Sequence, residues 1–221
     1  WKNLTFMHWE VDPMKLAKYI PDGLEIDLFE GRAFIGTIPF TMANVRPRLL
    51  FPIPGISTFP EVNIRTYVRK GGRGGVLFLT LEAQSLITCS YAPKAYGLPY
   101  RYSVASVQSR NGLYRWNTSR KDGSHELVGE CEWYEQDESA LKGTLEEFLF
   151  ERYCLYTFHR GNLCIAYTHH EPWKFGLGNV KLDSNSLTEE FDLGIDDVLS
   201  PDLVHVSEGV YVRTWSAEVV R

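Results

Sequence analysis

The sequence predicts a mainly β protein, mostly antiparallel, with a few short α-helices, built as one domain over residues 1–221. Two observations carry that prediction. Short runs of strand-like composition recur along the chain, separated by Gly- and Pro-bearing turns. One run, Glu61–Arg69 (EVNIRTYVR), alternates cleanly: Val62, Ile64, Thr66 and Val68 face one way, and Glu61, Asn63, Arg65, Tyr67 and Arg69 the other. The apolar share of 44% and charged share of 23% are those of a chain that buries a core, which excludes disorder.

The elements follow in order. Asp12 as N-cap, Pro13 at the first helical position and Pro21 as a stop predict a short helix over residues 12–20. Leu24–Phe29 and Ala33–Phe40 read as strands joined by a turn at Glu30-Gly31. Prolines at 47, 52, 54 and 60 keep the crossing Arg46–Pro60 out of a central sheet. KGGRGG at 70–75 is a hairpin tip between Glu61–Arg69 and a returning strand, Val76–Leu81. Ala83–Ala92 is expected to be helical, with antiparallel strands at Leu98–Val107, Leu113–Ser119 and Glu126–Trp133. Thr144 and Glu147 form a capping box that opens a helix over Gly143–Glu151. Strands at Tyr153–His159 and Leu163–His169, a short helix at Leu187–Leu193 and a strand at Gly209–Trp215 complete the chain.

Charge and composition narrow the function. Lys and Arg total 23 and Asp and Glu 28, a net charge of −5, which argues against a nucleic-acid partner. No stretch approaches the ~20 apolar residues of a membrane span, so no membrane partner is expected. Cys89, Cys131, Cys154 and Cys164 form no Cys-x-x-Cys pair and fit reduced thiols in the cytoplasm. Arg outnumbers Lys 14 to 9, and Arg is the better cation to bury against a carboxylate.

Few motifs carry chemistry. KGGRGG lacks the Lys-Ser/Thr ending of a phosphate loop. His169 and His170 are neighbours that point to opposite faces, and the other histidines are scattered, so no metal and no cofactor are expected. Gly-x-Ser-x-Gly is absent. Glu61, Asn63 and Arg65 are the most informative set. On a solvent face they are a plain charged surface, the common case. If the sheet curls into a barrel, the face lines a cavity in which Arg65 holds an anion and Glu61 acts as acid or base. Arg46 and Arg48 bracket Pro47 and either clamp a carboxylate or pair with structural acids. Glu151-Arg152-Tyr153 reads as a salt-bridged helix end, and His170-Glu-Pro-Trp173 as a structural strand end.

These blocks together resemble a known family. His8-Trp9, Pro21-x-Gly-Leu-Glu25, Pro39-Phe40, Arg46-Pro-Arg48 and Phe59-Pro-Glu-Val-Asn-Ile-Arg-Thr-Tyr-Val68 come in family order. So do Tyr96-Gly-Leu-Pro-Tyr100, Thr144–Tyr153 and His170-Glu-Pro-Trp173. From about Trp1 to Trp215 the chain resembles the YqjF-like family of bacterial proteins, a DUF2071-type domain. That family is similar in fold to acetoacetate decarboxylase, which implies a curved antiparallel sheet closing into a barrel around a polar cavity. It also implies a homodimer, since that fold commonly assembles. The decarboxylase mechanism does not follow. The Schiff-base segment of true decarboxylases corresponds to Gly97-Leu98-Pro99-Tyr100-Arg101, in which Tyr100 stands for the reactive Lys and Arg101 for its neighbour. Tyr has no amine and Arg stays protonated. Lys94 lies outside the motif, and the acidic position, Glu61, is retained.

The expected function is binding of a small organic anion or carbonyl compound. Arg65 and Arg101 hold the anion, assisted by Asn63, Arg46 and Arg48, while Glu61 is the acid or base and Tyr100 a hydrogen-bond donor. Two rivals stand beside it: a lyase, hydratase or isomerase acting on a small organic acid through Glu61 and Arg65, and a non-catalytic ligand sensor or interaction module.

Overall fold

The structure is a computed structural model that describes residues 1–46, 50–133 and 138–220. Its first half contains β1 (Lys2–Val11), α1 (Pro13–Leu16), β2 (Glu25–Ile26), β3 (Ala33–Met42), β4 (Phe59–Lys70), β5 (Arg73–Ala83), α2 (Leu86–Tyr96) and β6 (Tyr100–Arg110). There follow β7 (Leu113–Arg120), β8 (Glu126–Trp133), β9 (Glu138–Ser139), α3 (Leu145–Phe150), β10 (Cys154–His159) and β11 (Asn162–His169). The chain ends with β12 (Lys174–Asn185), α4 (Ser186–Glu189), β13 (Leu203–Gly209), β14 (Arg213–Thr214) and β15 (Glu218–Val219).

Nine strands close a ring in the order β5-β6-β7-β8-β12-β13-β1-β3-β4, and β4 pairs back onto β5. Gly71 and Gly72, both at positive φ, make the two-residue β4–β5 turn, as their sequence signal predicts. Most pairs are antiparallel. The exceptions both involve β5, which runs parallel to β10 at Val76–Leu77 and to β6 at Leu81–Ala83. Among the described residues no helix is long and apolar enough to cross a membrane.

Both faces of this wall are packed. Met7, Trp9, Ile35, Val62 and Ile64 meet Tyr114, Trp116, Leu127 and Cys131. Because β1, β3 and β4 lie across the ring from β7 and β8, this cluster fills the lumen. Leu16 of α1 and Leu187 of α4 join it. A second cluster covers the opposite face. There Leu4, Phe6, Phe34, Ile38, Phe40 and Tyr67 pack against Leu149 and Phe150 of α3, with Trp173 and Phe175. Each such side chain contributes about 1.5–3 kcal/mol on burial.

The lumen also holds an ion-pair network. Arg120 at the end of β7 donates to Glu82 of β5 through Nε (3.0 Å) and Nη2 (2.7 Å), and to Glu190 just past α4. Thr80 and Ser103 donate to Glu82 at 2.7 Å each. Glu82 is fully buried and every oxygen of its carboxylate is engaged.

Local signals explain the helices. The Asp12 carboxylate accepts from the Met14 amide at 2.8 Å, and Thr144 Oγ1 accepts from Glu147 N at 3.3 Å. The helix expected at 83–92 instead begins after Ser85, whose hydroxyl accepts from Thr88 N, and runs to Tyr96. Ala83 belongs to β5, where its backbone pairs with Glu61. The strand expected at 24–29 shrinks to Glu25–Ile26, and the one expected at 209–215 to Arg213–Thr214. Five strands were not predicted: β1, β12 and β13, and the two-residue β9 and β15. β1 is buried at Leu4–Trp9 on both faces, so it shows no alternation.

Candidate functional site

The polar residues of β4 are buried, but on the side away from the lumen. Glu61, Asn63 and Arg65 are exposed by only 2%, 7% and 8%. They share their face with Tyr67 and the α3-covered cluster, whereas Val62 and Ile64 point into the lumen. The expectation of a lumen-lining face is therefore corrected: alternation places the lumen on the apolar side of β4 and the polar row under α3.

At one end of this row, Glu61 lies opposite Phe40 of β3 and Ala83 of β5. Tyr100, the first residue of β6, donates its hydroxyl to Glu61 Oε2 at 3.1 Å. Burial pushes the Glu61 carboxyl up to about 8, against the smaller lowering effect of the Tyr100 hydrogen bond. Burial and the neighbouring Glu61 push the Tyr100 phenol well above its usual range. At neutral pH both groups are mainly protonated. Cys89 of α2 lies close by, and burial raises its thiol to about 11, which leaves it a poor nucleophile.

At the other end, Arg65 donates through Nη2 to the Leu149 carbonyl at 3.1 Å and to the Tyr67 hydroxyl at 3.4 Å. Its guanidinium lies over the rings of Phe6 and Tyr67, 5.7 and 5.6 Å from their centroids. Among the described residues no carboxylate pairs with it, and its Nε has no partner. The register places His8 of β1, Gly36 of β3 and Arg65 in one row. Gly36 has a structural reason: a Cβ there would stand 2.9 Å from His8 Nε2. With no side chain at that position, the His8 ring reaches across β3 to the Tyr67 hydroxyl at 2.8 Å. Burial, with Arg65 and His205 nearby, drives the His8 pKa well below its normal value, so the ring is neutral. His205 of β13, opposite Phe6, belongs to the same face.

Along β4, Glu61 and Arg65 stand roughly 13 Å apart at the Cα atoms, with Asn63 midway. The Asn63 Oδ1 atom is buried and has no partner among the described residues. Other expected site residues lie elsewhere. Tyr100 and Arg101 are sequence neighbours on a strand, so Arg101 points to the opposite side, beside Glu82 in register. It is exposed and acts electrostatically on Glu190. Arg46 is exposed and donates to the Asn44 carbonyl. Arg48 lies outside the described residues. Lys94 is exposed on α2. His8, Tyr67 and His205 were missed as site residues. The available signal was a histidine inside the apolar run Leu4–Trp9, a place where an ionisable ring needs a partner.

Two clefts are described, and neither is lined by Glu61, Asn63, Arg65 or Tyr100. One of about 870 Å³ lies between the 167–172 segment and Trp215–Glu218, bordered by Tyr153, whose ring stacks on His170. The other, of about 230 Å³, lies where β5 changes partner from β10 to β6, beside Gly97–Pro99.

Known proteins share this architecture. "Uncharacterized protein YqjF" of Bacillus subtilis (strain 168) is 31% identical over 216 residues, covering 97% of this chain and 88% of that one. The acetoacetate decarboxylase of Legionella pneumophila superposes with a TM-score of 0.65 at 14% identity, over 100% of this chain and 85% of the other. The enduracididine biosynthesis enzyme MppR complexed with pyruvate gives 0.59 at 14% identity, over 95% and 87%. At those identities the two solved structures establish the fold: an acetoacetate-decarboxylase-like barrel. The family model described as "Uncharacterized conserved protein (COG2071)" matches residues 1–211, and the chain belongs to that family, DUF2071.

Proposed function

We propose that the chain acts as one cytoplasmic domain that binds a small carboxylate or carbonyl compound along the β4 face. Arg65 holds the carboxylate at one end of the row, and a compound long enough to span it runs past Asn63 to the Glu61 carboxyl, which presents its proton to a carbonyl oxygen. Tyr100, donating to the other Glu61 oxygen, stabilises the charge that develops there. A protonated carboxyl backed by a phenol is a known way to hold an oxyanion in an apolar site. One observation supports this reading most: among the described residues Arg65 is a buried guanidinium without a carboxylate, on the same strand face as a buried acid whose pKa burial raises to about 8. The similar solved structure bound to pyruvate makes that compound a natural probe of the Arg65 end.

Any chemistry proceeds without a Schiff base, because the position of the reactive amine holds Tyr100. Exposed apolar residues, Phe51 and Ile53 in the Pro-rich crossing and Leu86, Ile87 and Tyr91 on α2, favour a second reading as a ligand sensor or interaction module, including a homodimer. The test follows pyruvate and acetoacetate by NMR with the protein, then adds borohydride. The proposal expects saturable binding, lost in Arg65→Met, and no covalent adduct. Consumption of the compound, abolished in Glu61→Gln, makes it an enzyme; binding without turnover makes it a sensor. A trapped adduct would point instead to an amine such as Lys94, and absence of binding would overturn the proposal.

A further inference from the structure

Two blocks that the β4 face leaves unused, Glu151-Arg152-Tyr153 and His170-Glu171-Pro172-Trp173, meet at the larger cleft. Glu151 joins them: its Oε1 accepts from the Trp173 amide at 3.0 Å and its Oε2 from the Tyr153 hydroxyl. Arg152 turns the other way, to Asp27 at 2.6 Å. The Tyr153 ring stacks on His170 with centroids 4.7 Å apart, and Trp173 packs against the same imidazole at 5.3 Å. His170 is only 4% exposed. Its Nδ1 lies 2.8 Å from the Glu171 carbonyl. A carbonyl oxygen only accepts, so Nδ1 carries a proton, and in the neutral ring Nε2 is a lone pair. Nε2 has no partner among the described residues, and it is not sealed from solvent as His8 Nδ1 and His205 Nδ1 are. The free edge of this clamped ring therefore opens on the cleft that His170 lines.

The opposite wall comes from a β-bulge. β11 pairs Thr168 with Thr214 and Ile165 with Glu218, so the C-terminal segment carries one residue more than β11 between those points. The Trp215 amide stays on β11, donating to the Tyr167 carbonyl at 3.0 Å, and its half-exposed indole borders the cleft with Ser216 and Glu218. Arg73 lies over the Tyr167 ring at 5.4 Å and donates to its hydroxyl, so one ring of the lining already holds a cation. The lining itself carries the carboxylates of Glu171 and Glu218 and no Lys or Arg, with His169 exposed. Among the described residues no cluster of His, Cys, Asp and Glu could hold a metal ion. An acceptor nitrogen, two carboxylates and an open indole are complementary to one kind of ligand. We infer that this cleft binds a small alkylammonium compound. Its N–H donates to His170 Nε2, and its charge faces the Trp215 ring and the Glu171 and Glu218 carboxylates. The site is separate from the Glu61–Arg65 row, none of which borders the cleft.

Butylammonium and butyltrimethylammonium share charge and chain and differ in the N–H. Each is titrated into ¹⁵N-histidine-labelled protein at mildly alkaline pH, where an ordinary imidazole is neutral, with the His170 signals identified by their loss in His170→Phe. Butylammonium should bind about tenfold tighter than butyltrimethylammonium, the scale of one hydrogen bond from a charged donor, and should move the His170 Nε2 signal. Butyrate, whose charge suits Arg65 instead, should leave that signal in place. His170→Phe keeps a ring on Tyr153; it should weaken butylammonium about tenfold and butyltrimethylammonium by less than about twofold. Trp215→Ala, at an exposed position, should weaken both cations about threefold and fold as the wild type does. A lysine in a Gly-Ser peptide should bind no tighter than butylammonium, and tighter binding would overturn the small-molecule assignment in favour of a partner's side chain. Equal affinity of the wild type for the two cations would overturn the bond to His170. A His170 signal unmoved by either cation would overturn the site.

Discussion

Arg120 and Arg65 are nearly equally buried, at 6% and 8% exposure, but they live in opposite chemistry. Arg120 fills the lumen side with two carboxylates, and Glu82 is saturated by Thr80 and Ser103 as well. Arg65, across the wall, has a helix-end carbonyl, a phenol and two ring faces, and among the described residues no carboxylate. Burying a charge is costly unless pairing and hydrogen bonds offset it. The Arg120 network is closed and serves the fold, since it ties β5 and β7 to the end of α4. The incomplete shell of Arg65 matches a group whose counter-charge arrives from outside.

Variants sharpen that contrast, beginning with the largest expected effect. The Glu61 carboxyl rises from 4.5 to about 8 on folding. The folded chain therefore binds more protons than the unfolded one between those values, and stability falls as pH rises through them. Linkage caps the loss at roughly 5 kcal/mol. Urea unfolding should show the wild type weakening from pH 4.5 to 8.5 while Glu61→Gln stays level and overtakes it. Parallel curves would mean that Glu61 ionises normally. Arg120→Met strands Glu82 and Glu190 and should cost about 3–5 kcal/mol in the same assay. Gly36→Ala drives a Cβ against the His8 ring and should cost about 1–3 kcal/mol, with the His8 ¹⁵N signals displaced. Arg65→Met breaks a bond to the Leu149 carbonyl and a long one to the Tyr67 hydroxyl but removes a buried charge, and should cost only about 1 kcal/mol. A loss as large as that for Arg120→Met would make Arg65 a structural latch for α3.

The sequence showed the polar row of β4 because alternation is a local property. The caps at Asp12 and Thr144 and the Gly71-Gly72 turn were legible for the same reason. It did not show which side of the wall the row would occupy, since that depends on ring closure between strands far apart in sequence. Arg120 escaped notice because its partners are 38 and 70 residues away. His8 did so because Tyr67 is 59 residues away. Arg101 was grouped with Tyr100 on resemblance, although adjacent strand residues face opposite ways, and the structure separates them. β1 lacked the period-two pattern because the lumen and α3 bury both of its faces.

Calorimetric titration of pyruvate into wild type and Arg65→Met, both shown folded by their thermal transitions, tests the central claim most directly. The account predicts binding by the wild type and loss of at least about tenfold in affinity in the variant, the scale of a charge-assisted hydrogen bond. Equal binding by both proteins would contradict it.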